Sequence, residues 1–218
     1  MLTGMKYLPL ALAAMLLASC STAYYAGMEK IGLHKRDILV SRVKKAKNSQ
    51  VDAKEEFESA LEEFIAVTDY RGGDLKKTYL RINDSYQRTR SRADKVKEHN
   101  DDVQRVGKAL FKEWDREIKE YSNRDLAYES RRQRDLSQRR FGELMDAMRR
   151  AENRLDPVLS EFHDHVIFLK HNLNARAIAA LEGKAGKINL DVSRLIREME
   201  SSIAEADAFI SEMKAAGN

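Results

Sequence analysis

A seven-residue rhythm of apolar and small side chains, kept up through four successive stretches, constrains this chain more than any other feature. From Leu39 the recurrence alternates steps of four and three: Leu39, Val43, Ala46, Ala53, Phe57, Ala60, Phe64 and Val67, with Gln50 filling one slot. In an α-helix that spacing lays the side chains along one stripe, and the stripe must be buried against other helices. A second stripe starts at Leu75 and passes through Tyr79, Ile82, Tyr86, Thr89, Ala93, Val96, Asn100, Val103, Gly107, Leu110, Trp114 and Glu117 to Tyr121. The third is polar and arginine-rich at first, then runs Phe141, Leu144, Met148, Ala151, Leu155, Val158, Phe162 and Leu169. The fourth runs Ile178, Leu181, Ala185, Ile188, Val192, Leu195, Met199, Ser202, Ala206, Phe209 and Met213.

The breaks between stripes carry turn chemistry. Arg71-Gly72-Gly73 should stop the first helix, because glycine takes the backbone conformation a helix end requires, and Asp74 stands ready to cap the second. Tyr121-Ser122-Asn123 marks the next turn, with Ser122 or Asn123 as cap. Between the third and fourth helices, Asn172 and Asn174 compete with Gly183 and Gly186 as the break. The asparagines are preferred because they make four helices of similar length. Pro157 has no amide proton and clashes with the carbonyl four residues back, so it should kink the third helix or restart it after Asp156. Within the second stripe, Thr89 and Asn100 either set register against a partner helix or, at Asn100, mark a water-filled defect.

Four helices of similar length joined by short turns pack as an elongated antiparallel four-helix bundle, an all-α fold. Composition agrees: two prolines, 7% aromatic residues and 34% charged residues favour long helices, and no linker of the proline-rich or Gly/Ser-rich kind divides the chain. The expected organisation is a leader over residues 1–19, a short tether over 20–27 and one bundle domain over 28–215.

The leader rests on Lys6, the apolar run over residues 10–17 and the small residues before Cys20. The run is too short to span a bilayer, which takes about 20 apolar residues. Cys20 is the only cysteine, so the chain builds no internal disulfide and no cysteine-rich zinc site. Leu17-Ala18-Ser19-Cys20 resembles the lipobox of bacterial lipoproteins. That resemblance implies diacylation of the Cys20 thiol, cleavage before it and, with Ser21 rather than aspartate next, an address on the periplasmic face of the outer membrane. Two or three acyl chains anchor a protein where one chain does not. Tyr24, Tyr25, Met28, Ile31 and Leu33 follow closely. They either lie against the membrane interface, where tyrosines settle, or begin the first helix.

The segments "YYAGMEKIGLHKRDILVSRVKKAK", "AMRRAENRLDPVL", "FLKHNLNARAIAALEG" and "SSIAEADAFI" resemble an uncharacterised, lipoprotein-like family of bacterial proteins catalogued as a domain of unknown function. The resemblance implies an all-helical, exported protein and brings no activity, cofactor or catalytic residue with it.

Chemistry-bearing motifs are sparse. Among five histidines none has a glutamate three residues before it, as helical di-iron sites require. Glu161 and His165 share a helix face as a weak two-ligand pair, outweighed by the reading as solvated surface. His163 and His165 fall on different faces. No metalloprotease, phosphate-loop, dinucleotide or nucleophile-elbow pattern occurs. Phe111, Trp114, Ile118 and Tyr121 are spaced as core packing rather than as a ligand box. The arginines from Arg131 to Arg154 are interrupted by Asp135, Glu143, Asp146 and Glu152, which favours a solvated face of mixed charge over a nucleic-acid stripe. Losing residues 1–19 removes one lysine and no acid from a net charge of +4, so the mature chain is nearly balanced.

The expectation is therefore a non-enzymatic envelope lipoprotein, a scaffold or adaptor held through Cys20, with no cofactor and no metal. Its expected partners are the membrane through the anchor and envelope proteins or a second copy of the chain, not nucleic acid. The alternative is a lipid- or phosphate-binding module that uses Arg131, Arg132, Arg139 and Arg140.

Overall fold

Four long helices answer to the four stripes in a computed structural model of the chain, which describes residues 35–68, 74–172 and 174–215. They are α1, Lys35–Thr68; α2, Leu75–Glu117; α3, Arg124–His171; and α4, Ala175–Ala215. A single 3₁₀ turn, Ile118–Glu120, extends α2. Each helix start with a described cap uses the residue chemistry the sequence offers. The Asp74 carboxylate accepts the amides of Lys76 and Lys77 at 3.0 and 3.3 Å, and Asn123 Oδ1 accepts those of Asp125 and Leu126 at 2.9 and 3.2 Å. Of the two cap candidates at the second turn, Asn123 does the capping. Gly72 and Gly73 lie outside the described residues.

The break between α3 and α4 falls at Asn172, and Gly183 and Gly186 lie inside α4. Asn172 ends α3 with its side-chain amide on the Phe168 carbonyl, 3.0 Å away, and its backbone at φ −132°. It therefore caps through its amide, not through a left-handed backbone. Pro157 neither ends nor restarts α3, which runs through it. The proline sits on the exposed face, where water reaches the carbonyl that loses its partner.

α1 packs on α2 and α4, and α3 packs on the same two helices, which closes an up-and-down ring. Ion pairs along each seam descend on one helix as they ascend on the other. Lys47 meets Asp207 at 2.8 Å and Lys54 meets Glu200 at 2.7 Å between α1 and α4; Arg88 meets Glu56 and Arg92 meets Asp52, each at 2.9 Å, between α1 and α2. Neighbours are thus antiparallel. These pairs are largely solvent-exposed and contribute little individually.

The core is two apolar clusters stacked along the axis. One holds Leu39, Val43, Ala46, Val103, Phe111, Phe141, Met148, Ala206 and Phe209; the other holds Ala53, Phe57, Phe64, Val96, Ala151, Leu155, Val192, Leu195 and Met199. Between them α1, α2 and α4 each place one polar residue in the seam: Gln50, Asn100 and Ser202, all 0% exposed. Asn100 Nδ2 donates to Glu152 Oε2 of α3 at 3.0 Å, so it does tie one helix to another. Thr89 does not. Its hydroxyl donates to the Ser85 carbonyl on its own helix at 2.9 Å. The aromatic stripe is also less uniform than its spacing predicts. Phe111 and Ile118 are buried, Trp114 packs against the core and donates Nε1–H to Ser130 Oγ at 2.9 Å, but Tyr121 is 46% exposed.

Candidate functional site

Cys20 and the tether over residues 20–27 lie outside the described residues. The described chain starts at Lys35, whose ammonium binds Glu113 Oε1 near the end of α2. Arg36 shares a pocket with Ser137 and Arg140 of α3 and Phe209 and Met213 of α4. The chain therefore enters the bundle at the end formed by the last turns of α2 and α4 and the arginine-rich start of α3. That end is the candidate site, since it brings the first described residues beside the arginine-rich start of α3.

The four arginines singled out in the sequence are not one cluster. Arg132 binds Glu129 at 3.0 Å, and Arg140 binds Glu143 at 2.9 Å and Glu212 at 3.3 Å. Arg131 and Arg139 make no side-chain ion pair or hydrogen bond among the described residues. Hydrogen bonds to carboxylates hold the Arg132 and Arg140 guanidiniums in their charged form. The rest of the arginine run is engaged as well. Arg134 binds Asp115 and Asp135; Arg149 spans Asp101 and Glu152, each at 2.9 Å; Arg150 and Arg154 approach Glu198 at 3.7 and 3.6 Å. For most of these residues the solvated mixed-charge face is what the geometry gives.

Glu161 and His165 are not assembled as ligands. Glu161 accepts Lys187 Nζ at 2.7 Å, while the His165 ring lies against Phe64 with centroids 5.1 Å apart. Burial pushes the His165 pKa below its usual value, which keeps the ring neutral near pH 7. His163 faces elsewhere and stacks on Tyr86, centroids 5.3 Å apart. Among the described residues no group of three or more His, Cys, Asp or Glu is placed to hold a metal ion. No helix among them is long and apolar enough to cross a membrane.

A polar layer lies between the two apolar clusters. Both amide atoms of Gln50, Oδ1 of Asn100 and Oγ of Ser202 are buried without a hydrogen-bond partner among the described residues. Each such atom costs about 1–3 kcal/mol, so the layer is a local cost to stability. Gln50 and Ser202 are legible in the sequence as polar residues on an apolar stripe; that they share a level with Asn100 is not.

A family model described as "Protein of unknown function (DUF2959)" matches residues 24–213. No curated protein and no solved structure matches the chain.

Proposed function

The chain belongs to the family described as Protein of unknown function (DUF2959), and from that premise we propose that it is a membrane-anchored envelope lipoprotein acting as a non-enzymatic scaffold or adaptor. In this reading Cys20 carries the acyl chains at the periplasmic face of the outer membrane, and the bundle projects from it as a rod. The carrying observation is the order of Lys6, the apolar run over residues 10–17 and Leu17-Ala18-Ser19-Cys20. It stands ahead of a bundle whose longest helix, with 48 residues, measures about 70 Å. A rod entered at one end presents its flanks and its far end to partners: envelope proteins or a second copy of the chain.

The test is Cys20→Ala in the native host. Loss of palmitate labelling and release of the protein from the membrane fraction are expected; retention in the outer membrane without label counts against the anchor. The second reading, a lipid- or phosphate-binding module built on Arg131, Arg132, Arg139 and Arg140, keeps support at Arg131 and Arg139, the two of these four with no carboxylate partner among the described residues.

A further inference from the structure

A groove runs between the last turns of α2 and the start of α3. Lys108, Lys112, Arg116 and Lys119 line its α2 side at steps of four, four and three residues, and so share one helix face. None of these four side chains makes an ion pair or hydrogen bond among the described residues. Asp115, the acid that lines the groove with them, is taken up by Arg134. Glu113, Glu117 and Glu120 follow the same helical steps on the neighbouring face, and Glu113 is held by Lys35.

The opposite wall is Gln138 and Gly142 of α3. Counting back from Gln138 by sevens, Arg131 and Arg124 stand on the same face, with Tyr128 between them. Tyr128 is 69% exposed, the highest value among the exposed large hydrophobic residues. The result is a strip of cations about 16 Å long on α2, continued on α3, with an exposed tyrosine at its tip.

We propose that this α2/α3 strip is a docking surface for an anionic phospholipid membrane. Lys108, Lys112, Arg116, Lys119 and Arg131 bind headgroup phosphates, and Tyr128 settles at headgroup level. Cations with no ion-pair partner among the described residues supply the charge complementarity to an anionic leaflet. The tip adds an amphipathic ring, which suits the headgroup boundary of a bilayer. The inference concerns the folded bundle and holds whether or not Cys20 is acylated.

The experiment uses the full chain carrying Cys20→Ser, which separates this contact from any lipid anchor. Co-sedimentation is measured with vesicles of phosphatidylcholine alone and of phosphatidylcholine mixed with phosphatidylglycerol. Any uptake by the apolar run over residues 10–17 is common to both vesicle types, so the readout is the gain from anionic lipid. That gain is expected to be tenfold or more at low salt and to fade as salt rises. Lys108→Gln/Lys112→Gln/Arg116→Gln/Lys119→Gln should abolish it, while Arg90→Gln/Lys95→Gln farther along α2 should leave it in place.

Gly142→Glu is the second variant. A Cβ at Gly142 meets nothing within 4 Å, so an acid enters the groove without disturbing the packing. It should cut the gain severalfold with helix content unchanged by circular dichroism. Equal binding to both vesicle types overturns the proposal. So does an undiminished gain in both groove variants, or salt-matched binding to duplex DNA with none to anionic vesicles.

Discussion

Gly107 of α2 faces the Phe141 ring of α3 so closely that a Cβ added there would fall inside the ring's van der Waals envelope. Phe111 and Phe209 flank that ring with centroids 5.5 and 6.1 Å distant, so moving it disturbs both neighbours. Gly107 is therefore where two helices approach across a stack of aromatics, and its missing side chain is a packing requirement.

Gly107→Ala should accordingly destabilise the bundle by about 1–2 kcal/mol, overpacking outweighing the gain in helix propensity. Gly183→Ala and Gly186→Ala in α4 should do the opposite, each stabilising by about 0.5–1 kcal/mol, since a Cβ at either position meets nothing within 4 Å. Urea midpoints of the three variants check the contrast. Equal shifts at all three positions would show that propensity alone governs them.

Gln50→Leu removes two buried amide atoms that have no partner among the described residues and should raise stability by about 1–3 kcal/mol. Asn100→Asp should do the reverse, because it sets a second carboxylate beside Glu152, 3.0 Å from the present amide. The expected loss is about 2 kcal/mol or more near neutral pH, shrinking as acid protonates one member of the pair. Denaturation of both variants near pH 7 and pH 5 measures the two effects.

Burial lowers the pKa of His165, and burial followed by the Lys45 charge lowers that of His99. Both rings bind protons more readily in the unfolded chain, where the value is about 6.5. Their contribution to stability is therefore complete above about pH 6.5 and is lost as the pH falls through the depressed folded values. Glu161 and Asp164 oppose the shift at His165, and Lys184 and Lys187 reinforce it. His165→Gln should flatten the fall in unfolding free energy between about pH 7 and pH 5, and adding His99→Gln should flatten it further. An unchanged slope in the double variant would assign the acid sensitivity to carboxylates instead.

The stripes were enough to place the core. Val43, Ala53, Phe57, Leu195 and Met199 sit on them and are fully or almost fully buried. A heptad fixes which face of a helix turns inward, and four such faces with short turns leave few packings. It does not fix which residues of neighbouring helices come level, because that offset depends on the turns. Hence the layer formed by Gln50, Asn100 and Ser202, and the capture of Arg140 of α3 by Glu212 of α4, could not be read from spacing. Thr89 and Tyr121 mislead for a local reason. A threonine hydroxyl satisfies itself on the preceding turn, and a stripe residue past the last full turn of α2 has no helix left to cover it.

Pro157 offers a last check on α3, which runs unbroken from Arg124 to His171 with the proline on its exposed face. The proline removes one backbone hydrogen bond and crowds the carbonyl of Asn153, while its flanking residues Leu155, Val158 and Leu159 stay in the core. Pro157→Ala restores that bond without altering a buried contact, so it should stabilise the bundle by about 1–3 kcal/mol with unchanged helix content. If the proline instead sets a bend that the core needs, the same substitution would lower stability and loosen the contacts of Leu155. The thermal midpoint of Pro157→Ala, read beside that of Leu155→Ala, which should lose about 2–5 kcal/mol through its cavity, decides between the two.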